Sequence, residues 1–403
     1  TFTCQNNATG TTTFIWNFGQ DSSFAGVKTP QGHADSNEIG DFFYTPPTGF
    51  LALCTKNMEE PAVTPSENFN PVLWTGNGTD GRDITNIGFT PDFVWIKSRS
   101  LGSSHLLNDT VRGANKSLFS EGTNAETPNN GGGYLDAFVT DGFSVTSGGS
   151  GDAAVNDNGA TYVAWNWKAG GTASSNTNGS ITSSVSANPS AGFSIVTYTG
   201  NGTAGATVGH GLSSVPTLVI AKSRTVSGKH WATYVESLGN TVRIDLESSG
   251  AKITGTGAWN STTPTSSLVT IGSQSDVNTS GAGQLMYCFH SVEGYSKVGS
   301  YTGNGSTDGP FVHCGFRPAF ILTKRTDGTS PWRLFDNKRP DANFQTYKLE
   351  ADSSGAELTG YAYADFLSNG FKIRDDGSYI NANGANYIFL AFAESPFKNS
   401  NAR

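Results

Sequence analysis

Five residues, Thr75-Gly76-Asn77-Gly78-Thr79, return as Thr199-Gly200-Asn201-Gly202-Thr203 and as Thr302-Gly303-Asn304-Gly305-Ser306, each directly after an aromatic residue, Trp74, Tyr198 or Tyr301. Every copy is followed by a polar loop, a proline (Pro91, Pro216, Pro318), a strand-like apolar run and a lysine, Lys97, Lys222 or Lys324. A match of that extent at intervals of about 100 to 125 residues is too long for a solenoid unit and suits a small module repeated three times. Within the motif, Gly76, Asn77 and Gly78, then Gly200, Asn201 and Gly202, then Gly303, Asn304 and Gly305, read as structural turns, because glycine admits positive φ. A phosphate cradle is the less economical reading.

Composition fixes the kind of module. Glycine contributes 50 of 403 residues, charged residues only 14% and aromatics 11%, a mixture suited to short strands joined by tight turns. Alternating runs recur at intervals near ten residues, with Asp-Gly and Asn-Gly turns as at Asp141-Gly142 and Asn369-Gly370, and no helical period is visible. The expected fold is all-β: three tandem antiparallel sandwiches of the concanavalin A-like jelly-roll kind, with an immunoglobulin-like sandwich as the alternative. The expected organisation is a short N-terminal β segment over 1–60, a linker over 61–68, modules over 69–168, 192–294 and 295–403, and a flexible Gly/Ser/Thr/Asn-rich linker over 169–191. The direct junction at Glu293-Gly294-Tyr295 predicts a stiff pair of second and third modules, with the first joined flexibly.

A net charge of −8 argues against a general nucleic-acid surface, and no apolar run approaches a membrane span, so neither nucleic acid nor membrane insertion is expected. Four cysteines are too few for a disulfide scaffold, and Cys4 with Cys54 is the candidate bridge. Asp245 and Glu247, two apart on a strand and so on one face, are the best local carboxylate pair for glycosidic chemistry. The equivalent strands do not repeat the pair, and a solvated strand face is the preferred reading. Cys288, His290, His313 and Cys314 miss any zinc-motif spacing, while Asp80-Gly81-Arg82-Asp83 and Asp375-Asp376-Gly377 read as ordinary turns. No catalytic residue, metal or cofactor is therefore expected. The recurrent lysines, with Arg99, Arg224 and Arg325 nearby, read as strand ends paired with carboxylates rather than as an acidic-glycan site. Exposed aromatics are the better binding candidates, since sugar rings stack on them: Trp165, Trp167, Trp259, Trp332, Tyr361 and Tyr363. Sequons occur at Asn77, Asn108, Asn115, Asn201 and Asn304.

The phrases from Gly88 to Arg99, Tyr162 to Gly171 and Phe392 to Lys398, with the repeated Tyr-Thr-Gly-Asn-Gly, resemble tandem β-sandwich modules of tailed, notably marine, bacteriophage virion proteins. Asn17-Phe18-Gly19-Gln20 with Tyr44 to Phe50 is similar to the end of a SPRY-like domain, whose remainder is missing here. The resemblance implies a non-enzymatic virion structural protein of tail-fibre or appendage type, assembled in the bacterial cytoplasm. Its implied partners are other virion proteins, a host surface glycan and further copies of itself, a trimer being favoured. Alternatives are a head-decoration or fibre-anchoring protein and a secreted carbohydrate-binding protein or glycoside hydrolase. Bacterial assembly implies bare sequons and free thiols.

Overall fold

The computed structural model describes residues 15–58, 60–128, 131–148, 154–340 and 343–399. Its elements are almost all antiparallel strands, as the composition predicts, with a single four-residue α-helix at Ser275–Asn278 among the described residues. The chain divides into two compact units, Thr1–Glu60 and Pro61–Arg403. In the first, the described part is a set of hydrogen-bonded turns around Asp35, whose carboxylate accepts from the backbone N–H groups of Asn37, Ile39 and Ala52. Ala52 is the buried apolar side chain among its described residues, while Tyr44, Phe50 and Leu53 are exposed. The Cys4–Cys54 expectation lies outside the described residues.

The second unit holds the three repeats, and each builds one sheet in the same order: opening strand, closing strand, lysine strand, fourth strand. In the first repeat these are Phe69–Thr75, Thr161–Trp167, Phe93–Ser98 and Leu106–Asp109. In the second they are Phe193–Thr199, Gly283–Phe289, Leu218–Ser223 and Ala232–Val235, and in the third Ser296–Thr302, Asn386–Pro396, Phe316–Arg325 and Arg333–Asp336. The registers match: Lys97 lies opposite Val163, Lys222 opposite Leu285 and Lys324 opposite Ile388 on the closing strands.

These sheets are buried on both faces. Successive strand residues point to opposite sides, and Val94 and Ile96 pack into the first repeat's own core while Phe93 and Trp95 enter a core shared by all three repeats. In the same way Val219 and Ala221 face inward to the second repeat and Leu218 and Ile220 to the shared core, and the third repeat divides Ile321 from Phe320 and Leu322. Phe69, Trp167, Phe193, Phe289, Tyr295, Phe320 and Phe392 meet at the centre, with Phe93 and Tyr287 4.3 Å apart between ring centres. The space left there, about 10 Å³, admits at most one water, so the centre is packed core rather than a ligand chamber.

This arrangement corrects the expectation of modules on a string. Residues 169–191 contain two strands, Ser174–Asn176 and Ser183–Asn188, that extend the second repeat's sheet, instead of a flexible linker. Side chains of all three repeats enter one shared core, so the first repeat is packed against the others rather than flexibly joined.

Three register-equivalent joints close the ring. The backbone N–H groups of Glu126, Lys252 and Glu357 donate to the carbonyls of Arg224, Thr326 and Arg99 at 2.7, 2.9 and 2.8 Å, linking first to second, second to third and third to first repeat. Beside them, Trp231 Nε1 donates to Phe119 O at 2.8 Å and Trp332 Nε1 to Asp245 O at 3.0 Å. His105 fills the equivalent place in the first repeat. Its Nδ1 accepts from Trp95 Nε1, so the proton sits on Nε2, which donates to Glu350 O at 3.0 Å. Such a cyclic set of like contacts is the geometry of a threefold ring, here made within one chain.

Two of the repeated lysines, Lys222 and Lys324, reach across these joints, while Lys97 stays within its own repeat. Lys222 Nζ donates to Thr123 O and Lys229 O, Lys324 Nζ to Ser249 O and Ser330 O, and Lys97 Nζ to Ser98 O and Leu101 O. The carboxylate partners expected for these lysines are thus replaced by backbone carbonyls among the described residues, whereas Arg99 pairs with Glu357, Arg224 with Glu126 and Arg325 with Asp327 as expected. Burial pushes all three lysine amines down from 10.5 to about 8. Between those values the unfolded chain holds protons that the folded chain has released, so stability rises with pH across that window, and the penalty is fully present below it. Above the ordinary tyrosine range the sign reverses, because burial keeps Tyr198 and Tyr287 un-ionised in the folded chain only. The urea midpoint is therefore expected to be higher at about pH 9.5 than at about pH 7 and to fall again beyond it; a midpoint that declines steadily from neutrality contradicts this.

Candidate functional site

Each residue of the repeated motif has a physical task. A Cβ on Gly76, Gly200 or Gly303 would overlap the backbone oxygen of Asp157, Thr279 or Ala382, so only glycine fits there. Gly78, Gly202 and Gly305 have φ of 69°, 72° and 66°, the left-handed region. The motif Asn turns its own loop, its Oδ1 accepting from the N–H two residues on at 3.1, 2.9 and 3.0 Å for Asn77, Asn201 and Asn304.

A second asparagine, distant in sequence and buried, pins each loop. Asn156 Oδ1 accepts from Asn77 N and its Nδ2 donates to Thr79 O; Asn278 does the same for Asn201 and Thr203, and Asn381 for Asn304 and Ser306. The preceding aromatic reaches the same place: Trp74 Nε1, Tyr198 Oη and Tyr301 Oη donate to the carbonyls of Val155, Val277 and Ile380, the residues before these asparagines. The sequence carried a signal for them that the reading missed, an Asn-x-x-Gly-Ala run before each closing strand at Asn156, Asn278 and Asn381. Asn278→Ala removes bonds to Asn201, Gly202, Thr203 and Gly272 from a buried position. It should cost about 2–3 kcal/mol in urea unfolding, and Asn278→Asp, which keeps only the acceptors, should fall between.

The result is three rigid turns whose tips, Asn77 to Asp80, Asn201 to Gly205 and Asn304 to Asp308, are exposed. Beside two of them a groove follows the opening strand. One, of about 380 Å³, is lined by Ser175, Thr182, Ser184, Thr197, Thr199 and Arg224. The other, of about 220 Å³, is lined by Lys297, Ser300, Tyr301, Phe311 and His313 among others, and the Phe311 ring is half exposed.

The aromatic candidates are placed otherwise than expected. Trp165, Trp167, Trp259, Trp332 and Tyr363 are all at most 2% exposed, and none offers a face to a ligand. Trp165 and Trp167 stand on a strand with core on both faces, and Trp165 Nε1 donates to Asp336 at 3.0 Å. Trp332 belongs to a joint, while Trp259 and Tyr363 fill the second and third repeats' own cores. The side chain of Tyr361 lies outside the described residues.

Titratable side chains converge elsewhere. Among the described residues, His230, Asp245 and Glu247 bring ligand atoms within 4.8 Å of one another. His230 was not foreseen: it precedes the fourth strand and reaches the carboxylates because Ala232 pairs with Asp245. Its Nδ1 contacts Glu247 Oε1 directly and lies 3.8 Å from Asp245 Oδ2. Burial pushes the Asp245 carboxyl up, and Arg243 and His230 oppose that shift. The cysteine-histidine set is not assembled, since Cys288 lies in the second repeat's core and Cys314 in the third's.

Asn108, one of the sequons, is buried with its Nδ2 donating to Ala114 O and Ser117 Oγ, so that side chain is closed to glycosylation in the folded chain. The second unit is thus a ring of β-sheet repeats with outward turns and a packed axis. Residues 64–396 match the family described as Domain of unknown function (DUF7483), and the chain belongs to that family. No curated protein and no solved structure matches it. The family match spans all three repeats together.

Proposed function

We propose that this protein is a non-enzymatic structural and adhesive component of a bacteriophage particle, of tail-fibre or appendage type, whose repeats are jelly-roll sandwiches presenting turns and grooves to a host surface glycan. The observation that carries the reading is the presentation of three register-equivalent exposed polar loops by one closed ring, two of them continued by a groove. Hydroxyls of Ser175, Ser184, Thr197 and Thr199 supply donors and acceptors for sugar hydroxyls, and the half-exposed Phe311 supplies a ring face. Sites of one kind on a rigid ring also gain by effective concentration, so weak single contacts suffice to hold a cell. The buried joints favour a scaffold over an enzyme, because their charged groups are consumed in holding the repeats together.

The test is binding of the labelled full chain to host cells and to an array of bacterial surface glycans. Phe311→Ala and Thr199→Ala should each weaken binding, and the combined variant should abolish it while leaving the unfolding midpoint within error of the parent. Binding that the combined variant retains in full, or the absence of any cell or glycan binding by the parent, overturns the adhesive reading; capture by particles alone then favours a decoration or anchoring role. Self-association, trimeric in the fibre reading, would multiply the loops again, and light scattering at micromolar concentration measures it.

A further inference from the structure

We propose that His230, Asp245 and Glu247 form a binding site for one divalent transition-metal ion, of the kind that accepts an imidazole nitrogen together with carboxylate oxygens, such as Zn2+ or Mn2+.

The three repeats act as one another's controls. Glu247 has a structural duty, since its Oε2 accepts from the backbone N–H of Trp231 at 3.0 Å. Glu121 does this for His105 in the first repeat at 3.2 Å and Asp352 for Trp332 in the third at 2.9 Å. The fold therefore requires an acid at Glu247 and explains it. It does not require the other two: the position of His230 is Ser104 in the first repeat and Pro331 in the third, and that of Asp245 is Phe119 and Glu350. Glu350 is neutralised by Arg333 at 2.6 Å and Lys348 at 3.4 Å. Asp245 has a weaker hold, one ion pair to Arg243 Nε at 3.3 Å.

Asp245 is only 5% exposed; its Oδ1 receives no hydrogen bond and faces Arg243, while the oxygen turned toward His230 is Oδ2, at 3.8 Å. The nearest cation, Arg243 Nε at 3.3 Å, belongs to a guanidinium whose Nη1 donates to Asp276 Oδ2 at 2.6 Å. A buried carboxylate that receives no hydrogen bond and shares its one guanidinium with Asp276 is under-compensated, and a metal ion would complete it. His230, about half exposed and with its Nδ1 turned onto these carboxylates, supplies the ligand that distinguishes a transition metal from calcium or magnesium. Two ligand atoms on one ion stand roughly 3 Å apart, so the His230–Glu247 contact opens slightly, which the exposed ring permits. Any proton on Nδ1 leaves to water as the ion enters, because a metal ligand must be deprotonated at the ligating atom. Lys222, Lys229 and Arg243 lie around the trio, with Asp276 as a third carboxylate, and their net positive charge makes the site weaker than a four-ligand structural zinc site.

Calorimetric titration of the chelator-treated full chain with Zn2+ and with Mn2+ tests this. One saturable site is expected for at least one ion, weakened at least about 10-fold in His230→Ala and unchanged in the control His313→Ala. Because His230 is half exposed, His230→Ala should unfold at the parent's midpoint when metal-free, which separates loss of the site from loss of the fold. Failure of both ions to bind saturably, or undiminished binding by His230→Ala, overturns the assignment. The glycan experiment is read without metal, so either proposal can fail alone.

Discussion

Arg112→Leu should destabilise the ring by about 3–5 kcal/mol in urea unfolding, because it strands a fully buried carboxylate. Arg112 and Asp109 are both completely buried at the boundary between first and second repeats. The guanidinium pairs with Asp109 through Nε, donates to Leu107 O at 2.7 Å and Lys116 O at 2.8 Å, and reaches Tyr287 Oη of the second repeat at 3.2 Å. Tyr287 Oη in turn donates to Asp109 Oδ2 at 2.8 Å. The third repeat copies the device where it meets the first, with Arg339 paired to Asp336 at 2.6 Å and Trp165 Nε1 as the donor from across the joint. The second repeat does without it: Val235 and Leu238 stand at the register positions of the aspartate and arginine, and Leu390 at that of Tyr287 and Trp165. The buried ion pair and the donor from across the joint come together or not at all. The combined variant Asp109→Val, Arg112→Leu, Tyr287→Phe, which imitates the apolar joint, should therefore recover at least half of the stability that Arg112→Leu loses. Replacing a buried pair by apolar groups is often near neutral, whereas breaking it is not. A combined variant as unstable as the single one would mean that the pair contributes more than mutual neutralisation.

That contrast also marks what the sequence made readable. The repeat, its turn glycines and the equivalence of Lys97, Lys222 and Lys324 follow from local rules, because a residue such as Gly76 is dictated by its own backbone environment. The shared core depends on what lies across the strand, and its signal was of a different kind. Runs such as Phe93-Val94-Trp95-Ile96, Leu218-Val219-Ile220-Ala221 and Ala319-Phe320-Ile321-Leu322 are apolar on both faces, and a strand of an isolated sandwich with one face in water should alternate. Continuous runs on three equivalent strands ask for a second apolar partner, and the other repeats supply it. The same point removes Trp165 and Trp167 from the binding candidates: on a strand buried on both sides no parity leads to solvent. Phe311 was not singled out, although it sits on a short outer strand, Phe311–His313, whose burial alternates. His230 had no local signal at all, since only the pairing of two strands brings it to Glu247.

Phe392→Ala should remove about 3–5 kcal/mol from the whole of residues 61–403, not from the third repeat alone. Its ring lies 4.9 Å from Phe69 and 5.7 Å from Trp167 of the first repeat, 6.0 Å from Phe289 of the second, and 5.6 Å from Tyr295 of its own. Truncation leaves a cavity at the one place where all three sheets meet, in a packed centre with no spare volume to absorb the change. No repeat can keep its inner sheet covered while another unfolds, since doing so would expose one whole apolar face of each remaining sheet to water. Tryptophan fluorescence, reporting Trp95, Trp165 and Trp167 of the first repeat with Trp231 and Trp332 of the others, should therefore shift at the same urea concentration as far-UV circular dichroism, in parent and variant alike. Separate transitions, with only part of the signal moved by Phe392→Ala, would show that the repeats keep independent stability and that the shared core is dispensable. A single transition has a functional consequence as well: the three outward turns are held in fixed mutual geometry for as long as the chain is folded, which is what simultaneous engagement of several weak surface ligands requires.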